Sequence, residues 1–319
     1  MIRRGAWLLM PALILVASCG RPKNVSAPVR ITRPSPSPGA DRATDVPSLT
    51  GRIVFSAEDD IWLVNADGTG LTRLTTRRGP EFDPTWSPNG TRIAYRDSRR
   101  GINNDDEIYV MNADGSGQAN LTRNPADDWG PAWSPNGTSI AFSSTRDTRS
   151  IPQIFLMDPD GSNVRRLTEI EGEYPTWSPD GTRIAFMSLQ SGPRTSTPEY
   201  EIFVMNAVGT DLRRVTHSPG EDGWPAWSAD GKAIAFSSAR DDHGQFGEGP
   251  FFQVFVMNVD GTGLRKVGQE FGQFPTWSPD GRLLLVSPGG YLTTPDGSAS
   301  APMHLPSQAS DLAFADWIS

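Results

Sequence analysis

Carboxylates recur along the chain just ahead of a repeated tryptophan: Glu81 and Asp83, Asp127 and Asp128, Glu171 and Glu173, Glu221 and Asp222, and Glu270. Aromatic side chains stand beside the same tryptophans: Phe82, Trp129, Tyr174, Trp224, Phe274 and Phe314. Grouped carboxylates can steer a basic partner or offer oxygen atoms to a cation, and rings around an opening can stack on a glycan or grip a peptide. In a plainer role the acids form a solvated rim and the rings pack one structural unit against the next. Asn104-Asp105-Asp106-Glu107 and Asp241-Asp242 add oxygen atoms without EF-hand spacing, so neither a metal nor a cofactor is expected. Covalent catalysis has little to work with: no G-x-S-x-G elbow occurs, and His217, His243 and His304 stand apart from any H-E-x-x-H pattern.

What must position these residues is a repeated unit. Pro-x-Trp-Ser-Pro/Ala-Asp/Asn-Gly begins at Pro84, Pro131, Pro175, Pro225 and Pro275, a period of roughly 40 to 50 residues, as in solenoids and propellers. In Ser178-Pro179-Asp180-Gly181 the proline presets φ, the Asp side chain can bond the local backbone, and the glycine accepts positive φ. That is a β-hairpin turn between a short Trp-bearing strand and the apolar run Ile184-Ala185-Phe186. A third strand follows at Ile108–Met111, Ile154–Met157, Ile202 and Val254, ending in a second Asp-Gly-type turn. A polar fourth strand closes the unit at Leu71–Thr75, Val164–Thr168 and Leu212–Thr216. Apolar density falls from the first three strands to the Arg-bearing fourth, which reads as inner to outer, because strands buried on both faces are continuously apolar and edge strands carry charge.

The first unit, from Arg52-Ile53-Val54-Phe55, lacks its Trp strand, and the missing piece stands at the other end as Ala315-Asp316-Trp317-Ile318-Ser319. Second strands at Ile53, Ile93, Ile140, Ile184, Ile234 and Leu283 match six tryptophans, counting Trp317. The expected fold is therefore all-β: a six-bladed β-propeller of four-stranded antiparallel blades over residues 49–319, closed by pairing its N- and C-terminal segments. The sixth blade, with Tyr291–Gly297 and Pro302–Pro306, should be the least regular. The recurring W-S-P-D-G, I-A-F, I-F-V-M-N-A-D-G-T and L-T pattern resembles the TolB-type propeller repeat, related to the WD repeat, from Gly51 to Ser319. The resemblance implies an envelope scaffold, and the same repeat also serves prolyl-peptidase-like enzymes and polysaccharide lyases. TolB proteins carry a separate domain ahead of the propeller, where this chain has a Pro/Ser-rich stretch.

The first 48 residues hold seven of the 29 basic and two of the 37 acidic side chains, so the repeat region carries a net charge of about −13. That disfavours nucleic acid as a partner. Arg3 and Arg4 precede an apolar run from Trp7 to Ala17 that is too short to span a bilayer but suits a signal-peptide core. Leu15-Val16-Ala17-Ser18-Cys19-Gly20 resembles a bacterial lipobox, which implies a signal peptide over 1–18 and acylation of Cys19, the single cysteine. Residues 19–48, with prolines at 22, 28, 34, 36, 38 and 47, read as an extended tether. The membrane is then met only through acylated Cys19, and the protein is an exported lipoprotein, periplasmic or on the cell surface.

In a four-stranded blade the turns between strands one and two and between three and four open on one face of the disc, and these are nearly uniform here. The other face carries dissimilar links, 97–107, 145–153, 189–201 and 240–253, together with the acidic and aromatic residues. Binding is expected on that variable face, through Glu81, Asp83, Asp127, Asp128, Trp129, Glu173, Tyr174, Asp222, Trp224 and Phe274. The expected role is a monomeric scaffold for an envelope protein or peptide, a glycan being a further ligand class. The alternative is a carbohydrate-active lyase or hydrolase with its site in the channel.

Overall fold

A computed structural model describes residues 49–319 apart from 77–78, 99–105, 191–198, 242–251, 269–271, 289, 304 and 306–311. The segments expected to be a signal and a tether, with Cys19, lie outside the described residues, as do Glu270, His243 and His304.

The described residues form 24 strands and no helix. Blade 1 contains β1 (Arg52–Ala57), β2 (Asp60–Asn65) and β3 (Thr72–Arg73); blade 2 contains β4 (Glu81–Trp86), β5 (Arg92–Asp97), β6 (Glu107–Asn112) and β7 (Ala119–Asn120). Blade 3 runs β8 (Asp128–Trp133), β9 (Ile140–Ser144), β10 (Gln153–Met157) and β11 (Arg165–Arg166); blade 4 runs β12 (Glu173–Trp177), β13 (Arg183–Gln190), β14 (Glu199–Asn206) and β15 (Arg213–Arg214). Blade 5 has β16 (Asp222–Trp227), β17 (Ala233–Ser238), β18 (Gln253–Asn258) and β19 (Arg265–Val267), and blade 6 has β20 (Gln273–Trp277), β21 (Leu284–Ser287), β22 (Tyr291–Thr293) and β23 (Ser300–Pro302). The last strand, β24 (Ala313–Ile318), joins blade 1 as its first strand.

All six sheets have four antiparallel strands in simple up-and-down order. The Trp strands β4, β8, β12, β16, β20 and β24 touch one another in a closed circuit and line the centre. The charged fourth strands are therefore outermost, and they are two or three residues long, shorter than the five-residue runs the sequence suggests. Blade 6 has the shortest third strand, and Leu284 rather than Leu283 stands opposite its tryptophan.

Period-two alternation gives each blade two apolar faces, and each face packs on a different neighbour. Ile93 turns toward Val54, Ile61 and Trp86, whereas Ala94 turns toward Trp133, Ile140 and Phe142. Six such clusters occupy the six junctions. The repeat tryptophans also bolt blade to blade. The indole N–H donates to a backbone carbonyl of the preceding blade in Trp177 to Ala132 (3.2 Å), Trp227 to Thr176 (3.2 Å) and Trp277 to Ala226 (3.0 Å), whereas Trp317 donates to Thr50 (3.0 Å), just ahead of β1 in its own blade. Each bond contributes about 1 kcal/mol net.

Closure uses the expected ends. Arg52, Ile53 and Val54 pair with Ile318, Trp317 and Asp316. Asp316 reaches on into blade 2, where its Oδ2 accepts from Trp86 N (2.7 Å) and Thr85 Oγ1 (3.1 Å). Gly51 (φ 100°) runs so close to β24 that a Cβ would lie 2.1 Å from the Ile318 carbonyl oxygen. The uniform turns work as their sequence indicates. Ser178 Oγ (2.6 Å) and Thr182 N (3.0 Å) both donate to Asp180 Oδ1, and these bonds lower the Asp180 pKa to about 2.

Candidate functional site: the channel mouth on the variable face

Each inner strand begins on the variable face and carries a β-bulge just before its proline or, in β24, its alanine. The bulged residue is left-handed in every blade: Asp83 (φ 54°), Gly130 (58°), Tyr174 (49°), Trp224 (51°), Phe274 (50°) and Phe314 (46°). Such backbone costs a non-glycine residue on the order of 1–3 kcal/mol and persists only when its surroundings hold it. Part of that hold is visible: Ser143 Oγ accepts from Tyr174 N (3.0 Å) and Ser237 Oγ accepts from Phe274 N (3.1 Å), each from the preceding blade.

The bulge aims four aromatic side chains at one place. Phe274 and Phe314 have ring centroids 4.0 Å apart, Trp224 meets Phe274 edge-on at 4.9 Å, and Tyr174 lies parallel to Phe314 at 6.2 Å. Trp224 also meets Phe252 at 5.4 Å. Phe274 is buried, while Tyr174, Trp224 and Phe314 are half-buried. The six rings singled out from the sequence are thus not equivalent. Phe82 and Trp129 stand one residue earlier in their strands, and Asp83 and Gly130 take the bulge position in blades 2 and 3. Phe82 still reaches Phe314 edge-on at 6.5 Å.

Beside the rings lies a buried polar group. Arg96 packs over Phe82 (4.7 Å) and ion-pairs with Asp83 (3.5 Å) and Asp106 (3.6 Å). Burial raises the Asp83 pKa against the lowering pull of Arg96. Asp106 belongs to the acidic run 104–107 noted above, but Arg96 stands outside every pattern read from the sequence. The repeat carries Ser143, Met187 and Ser237 at the position of Arg96, and that departure is the signal that could have found it.

The remaining acids do not form a solvated rim. Glu81, Asp128, Glu173 and Asp222 are all buried. Asp128 accepts twice from Arg146 Nη2 (3.0 Å each), and Asp222 accepts from Arg240 Nη2 (3.0 and 2.8 Å) and Ser238 Oγ (2.5 Å). Both arginines lie over aromatic rings of their own blade. Glu173 accepts from the Tyr200 hydroxyl (2.7 Å), and burial raises its pKa. Asp127 is half-buried and accepts from Asp106 N (3.2 Å). Asp128, Glu173 and Asp222 enter strand interiors because each finds a partner within its own blade, as buried ions must. Glu171 and Glu221 stay half-exposed. Burial and the neighbouring Glu173 raise the Glu171 pKa to about 7, and burial and Glu199 raise that of Glu221. Among the described residues no group of three or more His, Cys, Asp or Glu is placed to hold a metal ion. Of the variable links, 145–153 is fully described; most of 97–107, 189–201 and 240–253 lies outside the described residues.

Comparison with known proteins agrees with the geometry. Residues 45–161 match the Tricorn protease N-terminal beta propeller domain, and residues 172–290 match the TolB beta propeller domain. A TolB homolog from Chlorobium luteolum is 39% identical over 49 residues, covering 15% of this chain and 11% of that protein. The match thus spans about a tenth of that relative's length. TolB from Acinetobacter baumannii superposes with a TM-score of 0.66 at 22% identity, over 85% of this chain and 67% of that one. The tricorn protease superposes with a TM-score of 0.64 at 20% identity, over 80% of this chain and 25% of that one.

Proposed function

We propose that this TolB-like six-bladed β-propeller is an exported, lipid-anchored scaffold that receives a protein or peptide partner at the channel mouth of its variable face. The observation that carries the reading is the set of left-handed aromatic residues, Tyr174, Trp224, Phe274 and Phe314. A fold needs a bulge there but not four rings in strained backbone, and strain kept in consecutive blades at one opening is characteristic of ligand clamps. Aromatic side chains half-covered by one another offer large apolar area at low entropic cost, which suits peptide capture. The lipobox-like Leu15–Gly20 and the resemblance to TolB support an envelope location. The enzymatic alternative has less to build on, because Asp128, Asp222 and Glu173 are consumed by Arg146, Arg240 and Tyr200.

The test is in-cell photo-crosslinking with benzoylphenylalanine at Trp224 and, as control, at exposed Val208 on the uniform-turn face. The proposal expects one discrete heavier product from position 224 that is missing from position 208. Equal products from both positions, or none from 224, would overturn it.

A further inference from the structure

On the opposite, uniform-turn face a half-open groove of about 230 Å³ lies between blades 2 and 3, lined by Ser87, Pro88, Asn89, Arg92, Trp133, Asn136, Gly137 and Pro159. Arg92 lies over the Trp133 ring (5.7 Å), and its Nη1 donates to a backbone carbonyl, that of Pro159 (3.3 Å). Among the described residues it makes no ion pair within 4 Å. Asp160, next to Pro159, is held in its own turn by Ser162 (2.6 Å) and does not line the groove.

The two flanking turns carry Asn where blades 4, 5 and 6 carry Asp180, Asp230 and Asp280. Asn89 Oδ1 accepts from Ser87 Oγ (2.8 Å), Thr91 N (3.1 Å) and Thr91 Oγ1 (2.7 Å). Asn136 Oδ1 does the same with Ser134 Oγ (2.7 Å), Thr138 N (3.1 Å) and Thr138 Oγ1 (2.9 Å). Those bonds fix both amides, so each Nδ2, a two-proton donor, is left without a protein acceptor among the described residues. Blades 4 and 5 provide an internal comparison. There Arg183 lies over Trp227 (4.8 Å) in the same way, and each arginine lowers the pKa of a turn aspartate, Arg183 that of Asp180 and Arg92 that of Asp160; the difference is that the turns flanking Arg183 carry Asp180 and Asp230 where those flanking Arg92 carry Asn89 and Asn136.

We propose that the groove between blades 2 and 3 is a carboxylate-binding site for a peptide, in which the Arg92 guanidinium pairs with the carboxylate and the Asn89 and Asn136 amides donate to it. A planar guanidinium fork matches a carboxylate geometrically, and charge-assisted bonds of this kind are the strong ones. Asparagine completes the turn as aspartate does, but brings donors in place of a competing anion. The groove lies on the face away from the aromatic mouth and does not depend on the function proposed for that mouth.

The test is NMR of the full chain labelled with 15N-tryptophan, following the indole signal of Trp133 assigned by Trp133→Phe. N-acetyl-alanyl-alanine supplies a terminal carboxylate and N-acetyl-glutamate α-amide a side-chain carboxylate, each compared with its neutral amide. A saturable shift of the Trp133 signal by either acid, and not by its amide, is expected, and the acid that produces it identifies the source. Asn89→Asp with Asn136→Asp, which installs the turn residue already used by blades 4 to 6, should abolish the shift while leaving the other indole signals in place. Conversely, Asp180→Asn with Asp230→Asn should create a saturable shift at Trp227. Equal shifts by acids and amides, no shift at all, or binding unchanged in the Asn-to-Asp double variant would overturn the site.

Discussion

Adding one methyl group at Gly51 should open the ring. The Cβ of Gly51→Ala would sit 2.1 Å from Ile318 O and 3.0 Å from both Ile318 C and the Trp317 indole nitrogen. The first two are backbone atoms of the closing strand, so β24 must move by roughly an ångström to reach van der Waals distance, at a cost of about 1–3 kcal/mol for overpacking. A φ of 100° adds about 1–3 kcal/mol for a residue with a side chain. The shift also loosens the bond from Trp317 Nε1 to Thr50 O and the Asp316 cap on Trp86 N, about 1 kcal/mol each. The total is about 4–8 kcal/mol, a large part of the stability of a domain. Gly181→Ala is the matched control: its φ is 69°, but the nearest atom to an added Cβ is Pro135 Cδ at 3.8 Å. It should cost only about 1–2 kcal/mol for left-handed backbone. Urea denaturation followed by tryptophan fluorescence compares the two, and a Gly51→Ala cost within 1 kcal/mol of the control would refute the reasoning about closure.

Further outcomes follow from the buried charges. Arg240→Ala leaves fully buried Asp222 without its cation and should cost about 3–5 kcal/mol by denaturant titration, whereas Asp222→Ala with Arg240→Ala should cost less than that single change. Asp316→Ala removes the bonds from Trp86 N and Thr85 Oγ1 and should cost about 1–3 kcal/mol; combined with Gly51→Ala it should be less than additive, since both act through β24. Glu171 sets a pH dependence. Its folded pKa is raised from 4.5 to about 7, so its contribution to stability is fully present below pH 4.5 and is lost as pH rises toward 7. Since Glu171 is half-exposed, the loss is about 1–2 kcal/mol after screening, and melting temperature against pH should fall less for Glu171→Gln than for the parent between pH 4.5 and 7.5.

The fold was legible because each level of the sequence points the same way. Ser178-Pro179-Asp180-Gly181 dictates its turn, Ile184-Ala185-Phe186 its buried strand, and Trp317 its place beside Ile53. The site was legible only in outline. Acid residues at strand starts look like surface until their partners are known, and Arg146 and Arg240 lie 18 residues downstream of Asp128 and Asp222. The repeated Ser-Ser-x-Arg at 143–146 and 237–240 was the clue to them. The bulge carries no composition signal, since Asp, Gly, Tyr, Trp and Phe all occupy it, so Phe82 and Trp129 looked equivalent to rings one residue further along.

The central claim is that the strained rings at the channel mouth are kept for a partner and not for the fold. Its most direct measurement is the crosslinking yield from a benzoylphenylalanine at Phe274 in a protein carrying Tyr174→Gly, Trp224→Gly and Phe314→Gly, read against the same probe in the otherwise unaltered chain. Glycine accepts the left-handed backbone freely, so relief of strain offsets part of the lost packing. The ring should still melt cooperatively while the crosslinked product disappears. A product of undiminished yield from the folded triple variant would contradict it.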